Sequence, residues 1–273
     1  MTWWKLLKWR FNTARQRMLW NLVHWGWREF QNAGLVTADT PQGMRFRRFG
    51  KGSIVAFPPG AVFGERAIEI GEGTLIGQFV TMSAGTIPGQ DLGDSTILSI
   101  GDRCVIGRGS HIVAHQSVAI GDDVWTGPYV YITDQNHGYE DPETPIGQQF
   151  PVNRPVSIGK GCWLGAGVII LPGASIGQNV VIAAGSVVRG EIPDRCVVAG
   201  VPAKVVREHT EAGWRPPAGT PFAMPGSAMA PSAVAPTAVA PTAVAPTAVA
   251  PSAVVPPAVV PPADAPSAGL TPL

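Results

Sequence analysis

An aliphatic side chain that recurs at every sixth residue constrains the fold more than any other feature of the sequence. The longest run keeps the six-residue spacing without interruption and comprises Ile158, Leu164, Ile170, Ile176, Ile182 and Val188. Three shorter runs precede it: Ile70, Ile76 and Met82; Ile100, Ile106 and Ile112; and Ile120, Thr126 and Ile132. Neither a helix nor an ordinary two-sided strand needs this spacing, because their side chains repeat at other periods. A triangular parallel β-solenoid does need it.

In such a solenoid each flat face takes one hexapeptide, and three hexapeptides close one coil. The aliphatic side chain points inward and stacks on its counterparts in the coils above and below. A small residue after it lets the chain turn the corner without a Cβ clash, and Gly159, Gly165 and Gly177 stand in this place. The sequence therefore predicts an all-β solenoid domain, which we assign to residues 45–208.

Residues 1–44 are predicted to form an amphipathic, tryptophan-rich helix and a connector. The apolar stripe has spacings of three and four residues and comprises Trp4, Leu7, Phe11, Ala14, Met18, Leu22 and Trp25, with Lys5, Lys8, Arg15 and Arg17 interleaved. Two interpretations stay open: a packing helix that covers an open end of the core, or a helix that lies on anionic lipid with its indoles at headgroup level. Charges interrupt the segment too often for a membrane span of about 20 residues or for a secretory signal.

Residues 209–273 form a low-complexity tail built on variations of the pentad Ala-Pro-Thr-Ala-Val. A proline at every fifth residue removes amide donors and forbids a continuous helix, so this tail cannot cross a bilayer despite its hydropathy. We expect an extended, partly polyproline segment and assign no chemistry to it.

Charge and cysteine content exclude several classes of protein. A net charge of +1 gives no indication of nucleic-acid binding. The cysteines, Cys104, Cys162 and Cys196, are odd in number and widely separated, so they predict neither a disulfide framework nor a CxxC metal site. These observations favour a reducing, cytoplasmic location. The N-terminal helix also suggests the hypothesis that residues 1–30 contact the inner face of the membrane peripherally.

Function is expected where the solenoid is interrupted. One interruption lies between Met82 and Ile100, and a smaller one adds two residues around His115. The largest interruption runs from Thr133 to Ser157 and contains the stretch Thr133-Asp134-Gln135-Asn136-His137-Gly138-Tyr139. A loop of this length in a tight repeat is usually functional or disordered. Its histidine and its acids favour an ordered, functional arm.

Several stretches of the repeat region carry a resemblance to a known family. They are Ile120-Gly121-Asp122-Asp123-Val124, Asn136-His137-Gly138, Pro155-Val156-Ser157-Ile158-Gly159, Trp163-Leu164-Gly165-Ala166-Gly167, Ala183-Ala184-Gly185-Ser186-Val187-Val188 and Ala199-Gly200-Val201-Pro202-Ala203-Lys204. Through them, residues 45–208 resemble the hexapeptide-repeat acyltransferases, in the branch that contains the maltose, galactoside and Nod-factor O-acetyltransferases. The resemblance implies a left-handed parallel β-helix.

The resemblance also implies direct transfer of an acyl group from a thioester to a hydroxyl, without a covalent enzyme intermediate. A hydroxyl is a poor nucleophile until a base takes its proton as the bond forms. The family's catalytic histidine matches His137, and an imidazole suits the task because it is largely neutral at cellular pH. Its second nitrogen needs an acceptor, for which a backbone carbonyl and Glu140 are the alternatives. Taken alone, Asn-His-Gly is also typical of an exposed turn.

The matched motifs assign the binding of acetyl-CoA, or of another acyl-CoA, to Ala166, Ala184, Arg189, Gly190, Lys204 and Arg207. The two alanines would line the pantetheine arm, where small residues permit close approach. Lys204 and Arg207 would lie near the phosphates, which need compensating charge. The alternative is that the small residues only turn the corners and that these two cations are solvated. No metal is expected.

The acceptor is expected to be a sugar-like molecule, a polysaccharide precursor or a glycolipid, with His115, Asn136 and Tyr139 as its predicted contacts. His115 stands where related acetyltransferases place a polar, often acidic, substrate-binding residue. Trp125, Tyr129 and Tyr139 could stack on sugar faces, or could simply pack.

The resemblance implies a homotrimer, because the family's site forms between subunits; Trp163 would then be a neighbour of that site. Two other functions stay open. One is a metal-dependent hydratase similar to the gamma-class carbonic anhydrases, with His111, His115 and His137 as ligands, although the spacing of the first two differs from that family's pattern. The other is a non-enzymatic trimeric scaffold that presents the helix and the tail to partners.

Overall fold

The computed structural model describes residues 3–217, with side chains from residue 12 onward. Within this range the chain forms a left-handed parallel β-helix with an N-terminal helix, as the hexapeptide period and the resemblance predict. The pentad repeats of the tail lie outside the described residues.

The solenoid has three flat faces, and successive strands of the chain visit them in turn. Face 1 comprises β1 (Arg48–Phe49), β4 (Ile68–Ile70), β7 (Leu98–Ile100), β10 (Val118–Ile120), β15 (Val156–Ile158), β18 (Ser175–Ile176) and β21 (Glu191–Ile192). Face 2 comprises β2 (Ile54–Val55), β5 (Leu75–Ile76), β8 (Val105–Ile106), β11 (Trp125–Thr126), β16 (Trp163–Leu164), β19 (Val181–Ile182) and β22 (Cys196–Gly200). Face 3 comprises β3 (Val62–Phe63), β6 (Thr81–Ala84), β9 (His111–Ala114), β12 (Tyr131–Thr133), β17 (Ile169–Ile170) and β20 (Val187–Val188).

The six-residue period sets the register between coils. Ile158 pairs with Ile176, and Leu164 pairs with Ile182, one coil further along the chain. The interrupted coils keep the same register, because Ile100 pairs with Ile120 across the added residues at His115. Insertions are therefore confined to the corners, and the faces continue past them.

The inward column of aliphatic side chains forms the hydrophobic core. Its members are no more than 3% exposed along face 1 from Ile70 to Ile176. Thr126 occupies one of these inward positions without leaving its hydroxyl unpaired. The hydroxyl accepts the N–H of Gly107 at 2.8 Å and donates to the carbonyl of Gly127 at 3.1 Å. A buried polar group costs little when it is hydrogen-bonded, which explains why the period tolerates a threonine here.

The glycines after the aliphatic positions are required by the close approach of the next coil. A Cβ atom on Gly165 would lie 2.5 Å from the backbone nitrogen of Ala184, and one on Gly159 would lie 2.5 Å from the carbonyl oxygen of Gly177. These contacts involve backbone atoms, which cannot swing away. The corner thus excludes larger side chains, as the sequence pattern predicts.

Helix α1 (Trp3–Ala33) precedes the solenoid and contacts it near the helix C-terminus. The ring of Phe30 packs edge-on against Phe57, with centroids 5.3 Å apart. Val36 and Val55 then exchange two backbone hydrogen bonds of 3.0 and 2.9 Å. None of the described α1 side chains, from residue 12 to residue 33, is buried. Within the described chain, α1 therefore does not cover the core with its apolar stripe. Among residues 3–217, no helix is both long and apolar enough to cross a membrane.

The C-terminal end of the solenoid is closed by antiparallel strands. β23 (Ala203–Thr210) folds back along β22, and β24 (Gly213–Arg215) pairs with β23. The predicted boundary between solenoid and tail at residue 208 is therefore too early, because His209 pairs with Trp214 in this sheet. Among residues 3–217, single turns of 3₁₀-helix lie in the connections at Gly43–Arg45, Glu65–Ala67 and Ile146–Gln148.

Candidate active site

The three interruptions of the repeat lie at one corner of the solenoid, where face 3 passes into face 1. Residues 85–97 follow β6, residues 115–117 follow β9, and residues 134–155 follow β12. Because β6, β9 and β12 are neighbours in face 3, these three loops belong to successive coils. We call this corner the arm edge, and residues 134–155 the arm.

The arm begins and ends as a short antiparallel pair. β13 (Gln135–Asn136) pairs with β14 (Val152–Asn153), with Gln135 opposite Asn153 and Asn136 opposite Val152. This pairing brings the two ends of the insertion together at the solenoid, so the intervening residues project as one unit.

The outer part of the arm is fixed by its own side chains. The Gln149 amide donates to the carbonyl oxygens of Asp141 and Thr144, each at 2.8 Å. The Asp141 carboxylate accepts the Thr144 hydroxyl at 2.7 Å and the N–H of Glu143 at 2.9 Å. The bond from Thr144, with smaller help from the amides, lowers the pKa of Asp141. These contacts give the arm the internal order that its composition predicts.

The base of the arm is anchored by Asp134, whose side chain is fully buried. Its carboxylate accepts the amide N–H groups of His115, Gln116 and Ser117 at 2.8, 2.7 and 2.6 Å. Its own carbonyl accepts the N–H of Arg154 at 2.7 Å. One carboxylate thus joins the arm to the corner of the preceding coil, by charge-assisted bonds that are stronger than neutral ones.

His137 projects from the arm into solvent. It follows β13 directly, and the buried Gly138 behind it packs so tightly that a Cβ atom there would lie 2.6 Å from the carbonyl oxygen of Phe150. Within the described chain the His137 ring is exposed and has no hydrogen-bond partner. Neither Glu140 nor a backbone carbonyl orients it, so the predicted orienting acceptor is not supplied by residues 12–217 of the same chain.

His115 lies on the same edge as His137, one coil earlier. Its backbone is held by Asp134, and its side chain is partly buried. Within the described residues, Nδ1 of His115 and Oδ1 of Asn153 are buried and lack a hydrogen-bond partner. Asn153 faces Gln135, the residue after Asp134. Both residues neighbour the Asp134 anchor, His115 through its backbone N–H and Asn153 through its pairing with Gln135.

The two predicted pantetheine contacts lie on a different corner, where face 2 passes into face 3. Ala166 follows β16 and Ala184 follows β19, and both are exposed. Lys204 lies opposite Ala199 near the same corner, where the N–H of Gly200 donates to the Ser186 hydroxyl at 3.1 Å. We call this corner the alanine edge.

The remaining predicted cofactor residues do not join the alanine edge. Arg189 and Gly190 follow β20, and so lie on the arm edge, two coils after His137. Arg207 lies on β23, opposite Val197 of β22. Within one chain, face 3 separates Ala184 from Arg189, a distance of roughly 16 Å at about 3.3 Å per residue.

The candidate aromatic residues are exposed but scattered. Trp125 and Trp163 are register neighbours on the outer side of face 2, at 58% and 55% exposure. Tyr129 turns the alanine edge with a φ of 60°, and Tyr139 lies on the arm. The described chain does not bring Trp125 and Tyr139 together.

Metal ligands are not clustered in the described chain. Within residues 3–217 no group of three histidine, cysteine, aspartate or glutamate side chains is placed to hold a metal ion. His111 points outward from face 3, whereas His115 lies at the corner and His137 on the arm.

Comparison with known proteins supports the same class of fold. The family model described as bacterial transferase hexapeptide (six repeats) matches residues 155–190, and that described as hexapeptide repeat of succinyl-transferase matches residues 97–133. Through these two matches the chain is similar to the hexapeptide-repeat transferases. The resemblance to the hexapeptide-repeat acyltransferases that the sequence predicts is thereby confirmed.

Two relatives illustrate the resemblance in sequence. WbbJ of Escherichia coli K12, provisionally named a lipopolysaccharide biosynthesis O-acetyl transferase, is 38% identical over 120 residues, or 41% of this chain and 61% of WbbJ. The galactoside O-acetyltransferase of the same organism is 38% identical over 116 residues, or 40% of this chain and 56% of that protein. The chain thus spans less than two thirds of the length of these relatives.

A solved structure resembles the fold more extensively. AntD, an N-acyltransferase from Bacillus cereus crystallised with dTDP and 3-hydroxybutyryl-CoA, superposes with a TM-score of 0.55. The superposition covers 66% of this chain and 92% of AntD at 17% sequence identity. At that identity the likeness concerns the fold alone.

Asp134 is the structural residue that inspection of the sequence missed. Its position in the sequence could have indicated this role. Asp134 directly follows β12 at the start of an insertion, and the corner one coil earlier is also enlarged. A carboxylate at such a step can accept the amides that the enlarged corner leaves without ladder partners.

Proposed function

We propose that the protein is an acyl-CoA-dependent O-acyltransferase that transfers an acetyl group to a hydroxyl of a sugar, a polysaccharide precursor or a glycolipid. The observation that carries this proposal is the ordered arm, which holds His137 exposed on the same edge as His115. The similarity to the hexapeptide-repeat acyltransferases supports the acyl transfer. The names of WbbJ and of the galactoside O-acetyltransferase support a hydroxyl acceptor.

In the proposed reaction His137 acts as the general base. One ring nitrogen takes the proton of the acceptor hydroxyl while the hydroxyl oxygen attacks the carbonyl carbon of the thioester. The new C–O bond forms and the C–S bond breaks, so that the sulfur leaves with the electron pair. The imidazolium returns its proton to that sulfur, which releases the acetylated acceptor and free coenzyme A. His115, Asn136 and Tyr139 would hold the acceptor beside His137.

The proposed acyl-CoA site uses the alanine edge. The exposed Ala166 and Ala184 leave the backbone accessible to the pantetheine arm, and Lys204 lies at the same corner to compensate phosphate charge. Arg189, Gly190 and Arg207 would take part from the neighbouring surfaces. No metal takes part in the proposed mechanism.

A homotrimer is part of the proposal, because the two halves of the site lie on different edges of one chain. His137 is on the arm edge, whereas Ala166 and Ala184 are on the alanine edge, across face 3. A second copy can bring its alanine edge against the arm edge of the first. The same arrangement would place Trp163 near the site and could supply the missing partner of the His137 ring.

Mixed assemblies test this arrangement. We would co-express two inactive variants with different tags, one carrying His137→Ala and the other Ala184→Trp, which fills the proposed pantetheine groove. If each site joins two copies, the mixed trimer contains pairs with an intact arm edge and an intact alanine edge, and it regains part of the activity. No recovery in a purified mixed trimer would contradict a shared site.

We place the protein in the cytoplasm, where acyl-CoA is available and where its buried, unpaired thiols stay reduced. We further propose that residues 1–30 contact the inner face of the membrane.

The activity itself is tested by the release of free thiol from acetyl-CoA. The wild-type chain would be assayed with simple sugars, with nucleotide-linked sugars, with amino sugars and with glycolipids. We expect thiol release that depends on a hydroxyl acceptor, together with an ester in the product. Amide formation would contradict the hydroxyl acceptor. Absence of both acyl-CoA binding and turnover would contradict the enzymatic function and favour the scaffold.

A further inference from the structure

Helix α1 presents a broad apolar surface that the solenoid leaves uncovered. Its large apolar side chains between residues 18 and 30 are 42% to 64% exposed. They are Met18, Leu19, Trp20, Leu22, Val23, Trp25, Trp27 and Phe30. Soluble proteins rarely expose so many contiguous apolar side chains unless that surface binds a partner.

A narrow polar stripe runs along the opposite side of the same segment. Arg17, Asn21, His24, Arg28 and Gln31 follow one another at intervals of four, three, four and three residues. Residues with these intervals share one side of a helix. The apolar side chains occupy most of the remaining circumference, which Glu29 interrupts four residues after Trp25. The second half of α1 is therefore amphipathic with a wide apolar face.

The charge of α1 indicates the chemistry of the partner. Residues 3–33 contain six cations, Lys5, Lys8, Arg10, Arg15, Arg17 and Arg28, and one acid, Glu29. The segment therefore carries a net charge of +5, whereas the whole chain carries +1. Six of the nine tryptophans also fall in this segment. Apolar side chains, cations and indoles together match a bilayer surface that contains anionic lipid, where indoles favour the headgroup level.

We propose that α1 docks the protein on an anionic membrane surface, with its wide apolar face in the acyl-headgroup boundary. Parallel association of α1 between copies would bring segments of charge +5 together, whereas anionic lipid compensates them. The contacts between Phe30 and Phe57, and between Val36 and Val55, join the docked helix to the first coil of the solenoid. Resting on the proposed function, the inference also selects the acceptor class: a hydroxyl of a glycan presented at the membrane, such as a lipid-linked sugar.

The docking is tested with the full-length chain and lipid vesicles. We expect the wild type to sediment with vesicles of phosphatidylcholine and phosphatidylglycerol, and its tryptophan emission to shift to shorter wavelength. Binding to phosphatidylcholine alone, or at high salt, should be at least roughly tenfold weaker, because the basic residues are attracted to an anionic surface and salt screens that attraction.

Three variants separate the contributions of the helix. Leu22→Ser combined with Trp25→Ser should abolish sedimentation, because it places polar groups in the apolar face. Arg15→Gln combined with Arg17→Gln should weaken binding by roughly tenfold at low salt. Trp214→Ser is the matched control, because Trp214 is 49% exposed but lies on β24, away from α1. Its binding should equal that of the wild type.

Failure of the wild type to bind anionic vesicles would overturn the proposal. Binding that survives the Leu22→Ser, Trp25→Ser change would also overturn it. A third outcome is that the wild type does not bind vesicles and that this double change lowers the mass measured by light scattering. In that case the apolar face of α1 packs against a second copy of the chain instead. Turnover of acetyl-CoA with a soluble acceptor, measured without vesicles, is an independent readout. Vesicle binding without turnover would leave the docking intact and refute the proposed activity.

Discussion

The carboxylate of Asp134 accepts the amide N–H of His115 at 2.8 Å, across the step from one coil to the next. The same carboxylate also accepts the amides of Gln116 and Ser117, and it is wholly buried. The arm that carries His137 and the corner that carries His115 are therefore held by one side chain. We regard Asp134 as a positioning residue, since it acts on the acceptor side of the site only through these two histidines.

Replacing Asp134 by asparagine should loosen this junction. An amide retains one acceptor oxygen but turns an NH₂ donor towards backbone N–H groups, so at least one buried amide loses its partner. We expect a loss of roughly 2 to 3 kcal/mol in the free energy of unfolding, measured by urea denaturation, and faster proteolysis of the arm. Activity should fall mainly through a raised KM for the acceptor, while the Kd for acetyl-CoA stays unchanged.

Asp141→Asn is the matched control for this change. Asp141 is an exposed aspartate of the outer arm, and its hydrogen bonds stay within the arm. Its replacement should cost less than about 1 kcal/mol. Equal losses from the two substitutions would contradict the special role of Asp134.

Adding one methyl group at Gly165 should destabilise the solenoid. The new Cβ atom would lie 2.5 Å from the backbone nitrogen of Ala184, which cannot move without separating two coils. We expect Gly165→Ala to cost roughly 1 to 3 kcal/mol in thermal or urea unfolding. Gly147→Ala, where a Cβ atom meets nothing within 4 Å, serves as the control. A stability equal to that of the control would refute the close-approach explanation.

The buried thiols should make stability fall at alkaline pH. Burial raises the pKa of Cys196 from 9.0 to about 11, and it also raises the pKa values of Cys104 and Cys162. The folded chain thus holds these protons more firmly than the unfolded chain does. The stabilisation is complete below about pH 9 and is lost as the pH rises towards 11.

Thermal unfolding measured across this pH range checks the effect. Cys196→Ala should flatten the decrease in Tm between pH 9 and pH 11, even if it lowers Tm at neutral pH. The wild-type thiols should also react with a thiol reagent only on unfolding, since all three are buried. An unchanged slope in the Cys196→Ala variant would contradict this origin of the pH dependence.

The sequence is most informative where the structure is most periodic. The six-residue aliphatic period predicts which side chains point inward. The pairing of Ile158 with Ile176 follows from it, because three hexapeptides make one coil of 18 residues. The position of the arm and the exposure of His137 are also readable, because a corner is the only place where a coil can take added residues without losing its ladder.

Other features depend on contacts that the local pattern does not contain. The partners of Asp134 lie 17 to 19 residues earlier in the chain, and they are backbone amides, which have no sequence identity. Ala184 and Arg189 are close in sequence, yet they lie on different edges because the chain crosses a whole face between them. Helical spacing predicted the apolar stripe of α1, but not whether the solenoid would cover it.

The central claim is that His137 is the base for acyl transfer, and its most direct test is acetyl-CoA turnover by the His137→Ala variant. His209→Ala is the matched control, because His209 is an exposed histidine on β23, next to Trp214. With an accepted hydroxyl substrate, we predict that kcat falls about 10²- to 10⁴-fold in the His137→Ala variant. The Kd for acetyl-CoA and the mass in light scattering should stay unchanged, and the control should keep wild-type turnover. A His137→Ala protein that turns over nearly as fast as the wild type would contradict the assignment.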